Sequence, residues 1–278
     1  MTAAREYQFT RHDFDFLRRI SNARTGIVVT DDKFDMFYSR LAKRVRLLGL
    51  ASFADYCDYL QEPSHDAEIV ELVNALTTNL TAFFRENHHF EFLAKTAIPE
   101  CMQRNRTKRR LRIWSAGCST GEEPYSIAMV LAEQQALLSG WDAQILASDI
   151  DSNVLAQAKS GIYPLPRVEN LPKARLKAFF QKGTGAQLGK ARVRDVLRRY
   201  ISYTQINLME RLDVEMQDII FCRNVIIYFD KETKKRLVEK FAESLETGGY
   251  LIVGHSESLY QVTDRFELIG NTVYRKVR

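Results

Sequence analysis

The chain has 278 residues, of which 45% are apolar and 27% charged, and a formal net charge of +5. That is enough for one large or two medium domains with a core that needs no covalent staples, and the mild basic excess permits an acidic partner without demonstrating one. Four cysteines without a C-x-x-C pair or regular spacing read as reduced thiols of a cytosolic chain; no apolar run approaches the roughly 18 residues of a membrane span, and M-T-A-A-R-E-Y carries no apolar leader core. Neither internal repeats nor low-complexity tracts interrupt the sequence.

Residues 1–76 read as a separate helical domain. Phe9 to Ile20 is amphipathic, and from Lys33 to Leu48 the residues Phe34, Phe37, Tyr38, Leu41, Val45 and Leu48 fall on one helical face. Arg40, Lys43, Arg44 and Arg46 project from the other sides, and Gly49 can end the helix. A basic helix face is either simply solvated or a docking surface for an acidic partner. Two shorter helices follow, near Phe53 to Gln61 and Asp66 to Leu76. Aromatic interleaving of the kind that binds single-stranded nucleic acid is missing.

Residues 77–90, T-T-N-L-T-A-F-F-R-E-N-H-H-F, form a linker where composition and periodicity change. Polar Asn79, Thr81 and Arg85 are interspersed with apolar Leu80, Phe83 and Phe84, and such a junction is a common place for a ligand cleft. His88 and His89 are adjacent, so on a helix they point apart, without the i, i+4 spacing of a metal pair; no metal site is expected. The basic cluster from Arg104 to Arg112 reads as a solvated linker.

From residue 91 onward strands alternate with helices, which implies an α/β fold with a mainly parallel, Rossmann-like sheet. Leu111 to Trp114 is a buried strand, Ser115 to Gly121 a small flexible turn, and a helical pattern begins after Pro124 and runs to about Leu138. Gly117 and Gly121 can let the backbone approach a ligand. The spacing is not G-x-G-x-x-G, no lysine follows Gly121, and Glu122 and Glu123 would repel a phosphate. Those carboxylates suit an ammonium or sulfonium with free hydroxyls, as in S-adenosylmethionine (SAM), although an ordinary strand-to-helix turn with surface glutamates has the same sequence.

A second strand, Gln144 to Ala147, ends at Asp149 and Asp151, where such folds bind ribose hydroxyls; either aspartate could instead cap the helix from Val154 to Lys159. Between about 172 and 203, short β-like runs separated by Gly183, Gly185 and Gly189 suggest a small antiparallel insertion. Further strands are expected at Tyr200 to Gln205, Asp218 to Phe221, Tyr250 to Val253 and Phe266 to Val277, with a helix from Lys231 to Leu245 ending at Gly248-Gly249.

Seven segments, in order along nearly the whole chain, resemble the CheR family of chemotaxis receptor methyltransferases. They are T-N-L-T-A-F-F-R-E, S-T-G-E-E-P-Y-S-I-A, A-S-D-I-D, S-G-I-Y, K-G-T-G, F-C-R-N-V-I-I-Y-F-D and G-H-S-E-S. The resemblance implies an N-terminal all-helical domain, a class I SAM-dependent methyltransferase domain over 91–278 and a small β-subdomain inserted in it. It also implies a cytoplasmic monomer, with SAM as cofactor, that methylates glutamate side chains on the helices of methyl-accepting chemotaxis receptors and leaves S-adenosylhomocysteine.

By position, the family's SAM contacts fall on Asn79, Thr81, Arg85, Glu123, Asp149, Asn207, Leu208, Asn224 and Val225. Glutamate carboxylates, with a reference pKa near 4.3, are ionised at neutral pH and need no general base. Arg85 is therefore expected to orient the acceptor carboxylate, with Tyr228 as donor or wall. Arg40, Lys43, Arg44 and Arg46 become candidates for receptor docking, and the Gly183-x-Gly185 turn marks a second site, where some family members bind a receptor tail peptide by strand addition. A nucleic-acid methyltransferase should show an N-P-P-Y-type loop in place of C-R-N-V-I-I-Y-F, and a nicotinamide dehydrogenase the missing glycine fingerprint.

Overall fold

The computed structural model of the chain describes residues 5–278, and its first helix starts where the sequence supplies a cap. Thr10 and Asp13 form a reciprocal capping box before α1 (Arg11–Thr25), which stops at Gly26 in the left-handed conformation, φ 72°. Helices α2 (Phe34–Leu47), α3 (Phe53–Tyr59) and α4 (Asp66–Leu76) complete the helical unit. Their apolar faces bury Phe14, Leu17, Phe37, Leu41, Phe53 and Tyr56 in one core. Tilted and edge-on aromatic pairs fill it, with Phe9 and Phe53 centroids 4.4 Å apart and Phe14 and Phe37 5.1 Å apart.

The basic side of α2 is not a uniform row of free cations. Arg44 donates to Glu68, a buried carboxylate that also accepts the Tyr56 hydroxyl at 2.8 Å, and Arg44 reaches Glu71 as well. Arg40 donates to the carbonyls of Leu76 and Thr77 at 2.8 and 2.7 Å, closing the end of α4. These two arginines hold the helical unit together, and both are only partly exposed. Lys43 and Arg46 are the exposed pair, Arg46 beside Glu6.

A continuous helical stretch, α5 (His88–Phe92), a π-turn at Leu93–Ala97 and α6 (Ile98–Arg104), leads into the sheet domain. There follow β1 (Arg110–Ala116), α7 (Glu122–Glu133), β2 (Asp142–Asp149), α8 (Ser152–Ser160), β3 (Ile162–Pro164), α9 (Leu165–Val168), α10 (Lys173–Phe179), β4 (Phe180–Lys182) and β5 (Lys190–Val193). The chain ends with α11 (Asp195–Arg198), β6 (Ile201–Gln205), β7 (Gln217–Cys222), α12 (Lys231–Ser244), β8 (Leu245–Val253), β9 (Phe266–Gly270) and β10 (Val273–Lys276).

Seven strands form one sheet in the order β6-β2-β1-β7-β8-β10-β9, parallel from β6 to β8 and antiparallel at β10 and β9. This is a doubly wound arrangement, and the strand order reverses between β1 and β7, the usual place for a ligand crevice. The central strand β7 is buried along its whole length. The basic segment before β1 does more than link: Arg104 and Asn105 both donate to buried Asp218, which also accepts the Arg112 amide, locking α6 to β1 and β7.

Two expectations shift. The antiparallel sheet, β3-β5-β4, opens at Ile162, well before residue 172, and its last strand ends at Val193, while β6 joins the main sheet as expected. Proline-containing β3 was too short to show a strand pattern. Helix α12 runs straight into β8, so Gly248 and Gly249 lie inside that strand, where a Cβ on Gly249 would sit 2.7 Å from the Asp218 carbonyl.

Removing Arg44 strands a buried carboxylate, whereas Lys43 leaves nothing unpaired. Arg44→Ala should destabilise the protein by about 2–3 kcal/mol and Lys43→Ala by less than about 0.5 kcal/mol in urea unfolding. Equal losses at the two positions would refute the structural assignment of Arg44.

Candidate functional site

The turn after β1 is shaped by what it must pack against. Gly117 has φ 87°, and a Cβ there would lie 2.5 Å from Val225 Cγ2, so the segment following β7 can press directly against this turn. Gly121 packs away from the crevice, where a Cβ would lie 2.8 Å from Ala158 Cβ; its role is helix packing, not ligand approach. Ser119, at φ 49°, turns its amide onto Asp149 Oδ2 at 2.8 Å.

The two aspartates after β2 divide their tasks. Asp149 faces a cavity at the sheet's switch point, its other oxygen accepting the Asp151 amide at 3.0 Å. Asp151 caps α8 and accepts from Thr77 Oγ1 at 2.8 Å and Asn79 Nδ2 at 2.9 Å, tying the linker to the sheet domain. The two glutamates divide likewise. Glu122 is fully buried and pairs with Arg167 at 3.0 Å, while Glu123 faces the cavity, accepting from Ser115 Oγ at 2.7 Å and Arg223 Nη1 at 3.0 Å.

That cavity gathers every predicted cofactor contact. Asn79, Thr81 and Arg85 come from the linker, Glu123 and Asp149 from the turns after β1 and β2. Asn207 and Leu208 follow β6, and Asn224, Val225 and Tyr228 follow β7. Arg85 is steadied by a bond from Nη1 to the Leu80 carbonyl at 2.8 Å, and Asn207 Nδ2 donates to the Arg24 carbonyl at 2.8 Å. The helical domain forms the opposite wall through Val28, Met36 and Phe37. It is joined there by a bridge between Ile27 and Phe229 and by the Val28 amide donating to the Tyr228 carbonyl at 2.9 Å. Lys43, Arg46, Gly183 and Gly185 lie elsewhere, the glycines in the turn between β4 and β5.

Arg223 escaped the sequence reading. It is buried at 7% exposure, binds Glu123 and Glu86 (3.4 Å) and donates to the Arg85 carbonyl. The signal was available: an arginine directly after the apolar run I-I-F-C is carried into the interior and must find carboxylates there.

Burial raises the pKa of Glu123, against the opposing pull of Arg223 and the Ser115 hydroxyl. Burial likewise raises Asp149, although backbone amides partly offset it. Burial also acts upward on Glu86, but the His255 hydrogen bond and the Arg223 charge outweigh it, and its pKa falls. Glu86, His88 and His89 bring ligand-type atoms within 4.8 Å of one another, yet Glu86 is already committed to Arg223 and His255, a cationic setting that opposes a metal ion.

Two buried carboxylates, a glycine allowing close packing and apolar Leu208 and Val225 fit a ligand with a cationic end, hydroxyls and a planar apolar part. They do not fit a pyrophosphate. SAM satisfies that donor set.

The family model described as the CheR methyltransferase SAM-binding domain matches residues 79–275, and the one described as the CheR methyltransferase all-alpha domain matches residues 12–77. Chemotaxis protein methyltransferase 2 of Pseudomonas aeruginosa is 47% identical over 274 residues, covering 97% of this chain and 94% of that protein. The chemotaxis protein methyltransferase of Escherichia coli is 44% identical over 263 residues, covering 92% and 89%.

A carboxylate holds an ammonium group by charge and hydroxyls as an acceptor with all its lone pairs free, and protonation weakens both interactions. Because Glu123 and Asp149 are raised by burial, affinity for S-adenosylhomocysteine should fall as the pH is lowered, and should begin to fall above the pH of about 4.3–3.9 expected for free side chains. Calorimetric titration across pH checks this; an affinity that holds steady down to that range would contradict the shifts.

Proposed function

The chain belongs to the CheR methyltransferase family, and from that premise we propose that this SAM-dependent methyltransferase esterifies glutamate side chains on the cytoplasmic helices of chemotaxis receptors. The observation that carries the reading is the convergence of Arg85, Glu123, Asp149 and Tyr228 on one cavity at the switch point of the sheet.

When bound, SAM supplies a methyl group already activated on a sulfonium. Glu123 would face its ammonium end, Asp149 its ribose hydroxyls, and Asn207 and Leu208 its adenine. Asn79, Thr81, Asn224 and Val225 would complete the pocket. The acceptor carboxylate is already ionised at neutral pH and needs no general base. Arg85 and Tyr228, which line the same cavity, would instead hold and orient the acceptor carboxylate toward the bound donor. Such positioning can remove as much as about 7–11 kcal/mol of barrier. The acceptor's negative charge and the donor's positive charge both vanish on transfer. A cavity that bound the free carboxylate too strongly would therefore slow the reaction.

Docking on this reading uses exposed Lys43 and Arg46. A receptor tail peptide would add a strand to the open edge of β4, beside the Gly183-x-Gly185 turn.

Asp149→Ala should weaken S-adenosylhomocysteine binding about 100-fold, as expected for losing two hydrogen bonds to a charged group. Wild-type protein should transfer labelled methyl groups from SAM to a receptor cytoplasmic fragment, and mild base should release the label as methanol, the mark of an ester. A base-stable product would refute glutamate as acceptor. Reversing Lys43 and Arg46 to glutamate should raise the receptor KM about tenfold and leave S-adenosylhomocysteine affinity unchanged. An unchanged KM would remove α2 from the docking surface.

A further inference from the structure

We propose that Glu257 is a positioning residue for methyl transfer, acting through the segment Asn224–Tyr228. Its carboxylate is buried, at 2% exposure, and all of its bonds go to backbone amides. Oε1 accepts from Val225 N at 3.0 Å and Ile227 N at 3.2 Å; Oε2 accepts from Asn224 N at 2.9 Å and from Gly254 N. One side chain from the turn after β8 thus binds three amides of the turn after β7.

The segment needs such a clamp. Asn224 is left-handed, with φ 59°, a conformation that a non-glycine residue adopts at a cost. Successive amides that turn inward around it have no strand partner, and a buried amide must be satisfied somewhere. Gly254 brings the two turns into contact: a Cβ there would lie 2.7 Å from Asn224 Nδ2 and 2.9 Å from Glu257 Oε2. From the other side Val225 fills the space left by the absent Cβ of Gly117. The segment is held between these two contacts, and it carries cavity-lining Asn224, Val225 and Tyr228. The catalytic part of the inference rests on the reading of that cavity as the methyl-transfer site. The structural part does not.

The carboxylate's two oxygens are both used twice, so an amide of the same shape cannot replace them. In Glu257→Gln the NH2 group would face two N–H donors. Hydrogen exchange should show the 224–228 segment of this variant exchanging at least tenfold faster, with segments covering β2 and α8 unchanged. The kcat for receptor methylation should fall at least tenfold while the receptor KM stays within twofold. Unaltered exchange in 224–228 would overturn the clamp, and unaltered kcat, or a rise in KM without a fall in kcat, would overturn its part in transfer. If wild-type protein methylates no receptor fragment, the methyltransferase reading fails by itself, and exchange still decides whether Glu257 holds the segment.

Discussion

The candidate site depends on one buried cation. Arg223 leaves the end of β7 and meets Glu123 from α7, Glu86 from the linker and the carbonyl of Arg85. Two carboxylates buried together would repel each other and take up protons; the His255 hydrogen bond and then the guanidinium between them keep Glu86 acidic, and the guanidinium opposes the upward push of burial on Glu123. A single arginine therefore fixes the relative positions of the central strand, the first turn of α7 and the linker. Removing one member of such a network leaves an uncompensated charge in the interior, which costs far more than the pair gains. The guanidinium's flat fork is suited to several oxygens at once, as a lysine would not be.

Around this charge the backbone is held in unfavourable conformations. Phe84, Glu86, Ser119 and Asn224 all have positive φ, and all four border Arg85, Asp149 or Arg223. Three of the four are restrained by a specific backbone bond, and Glu86 by its side-chain pairs with Arg223 and His255. The Phe84 amide donates to Ser126 Oγ at 3.0 Å, the Ser119 amide to Asp149 and the Asn224 amide to Glu257. At Ser119 and Asn224 strain kept in place this way puts the residue itself on the wall of the cavity.

Much of this arrangement was legible in the sequence. Caps and apolar periodicity placed the helices, because those signals act within a few residues. The switch-point turn with Glu123 and Asp149 was readable because a strand, a glycine turn and a helix are contiguous. What stayed hidden depends on distant partners. The sequence shows Arg40 and Arg44 as part of a basic face, but Glu68 and the end of α4 lie more than twenty residues away, and folding turns those charges inward. Glu257 sits in a quoted motif, yet only the fold shows that its partners are the amides after β7. The insertion began early because three residues, Ile162–Pro164, gain strand conformation solely by pairing with β5.

The polar groups of the cavity share a feature that bears on the proposed chemistry. Asp149 is fixed by two backbone amides, Glu123 by Ser115 and Arg223, and Arg85 by the Leu80 carbonyl, while the backbone of Tyr228 is fixed by Val28. A reaction that consumes opposite charges gains little from added field at the transition state, because strong attraction for either reactant stabilises the ground state equally or more. What remains for the protein to contribute is alignment, and alignment is cheap only when side chains surrender little freedom on meeting the ligand. Besides the Glu257 contacts to its segment, Tyr228 is restrained from the helical domain, through the loop after α1. On the proposed reaction that domain is therefore more than a docking platform: by holding one wall of the cavity it takes part in the alignment on which transfer depends.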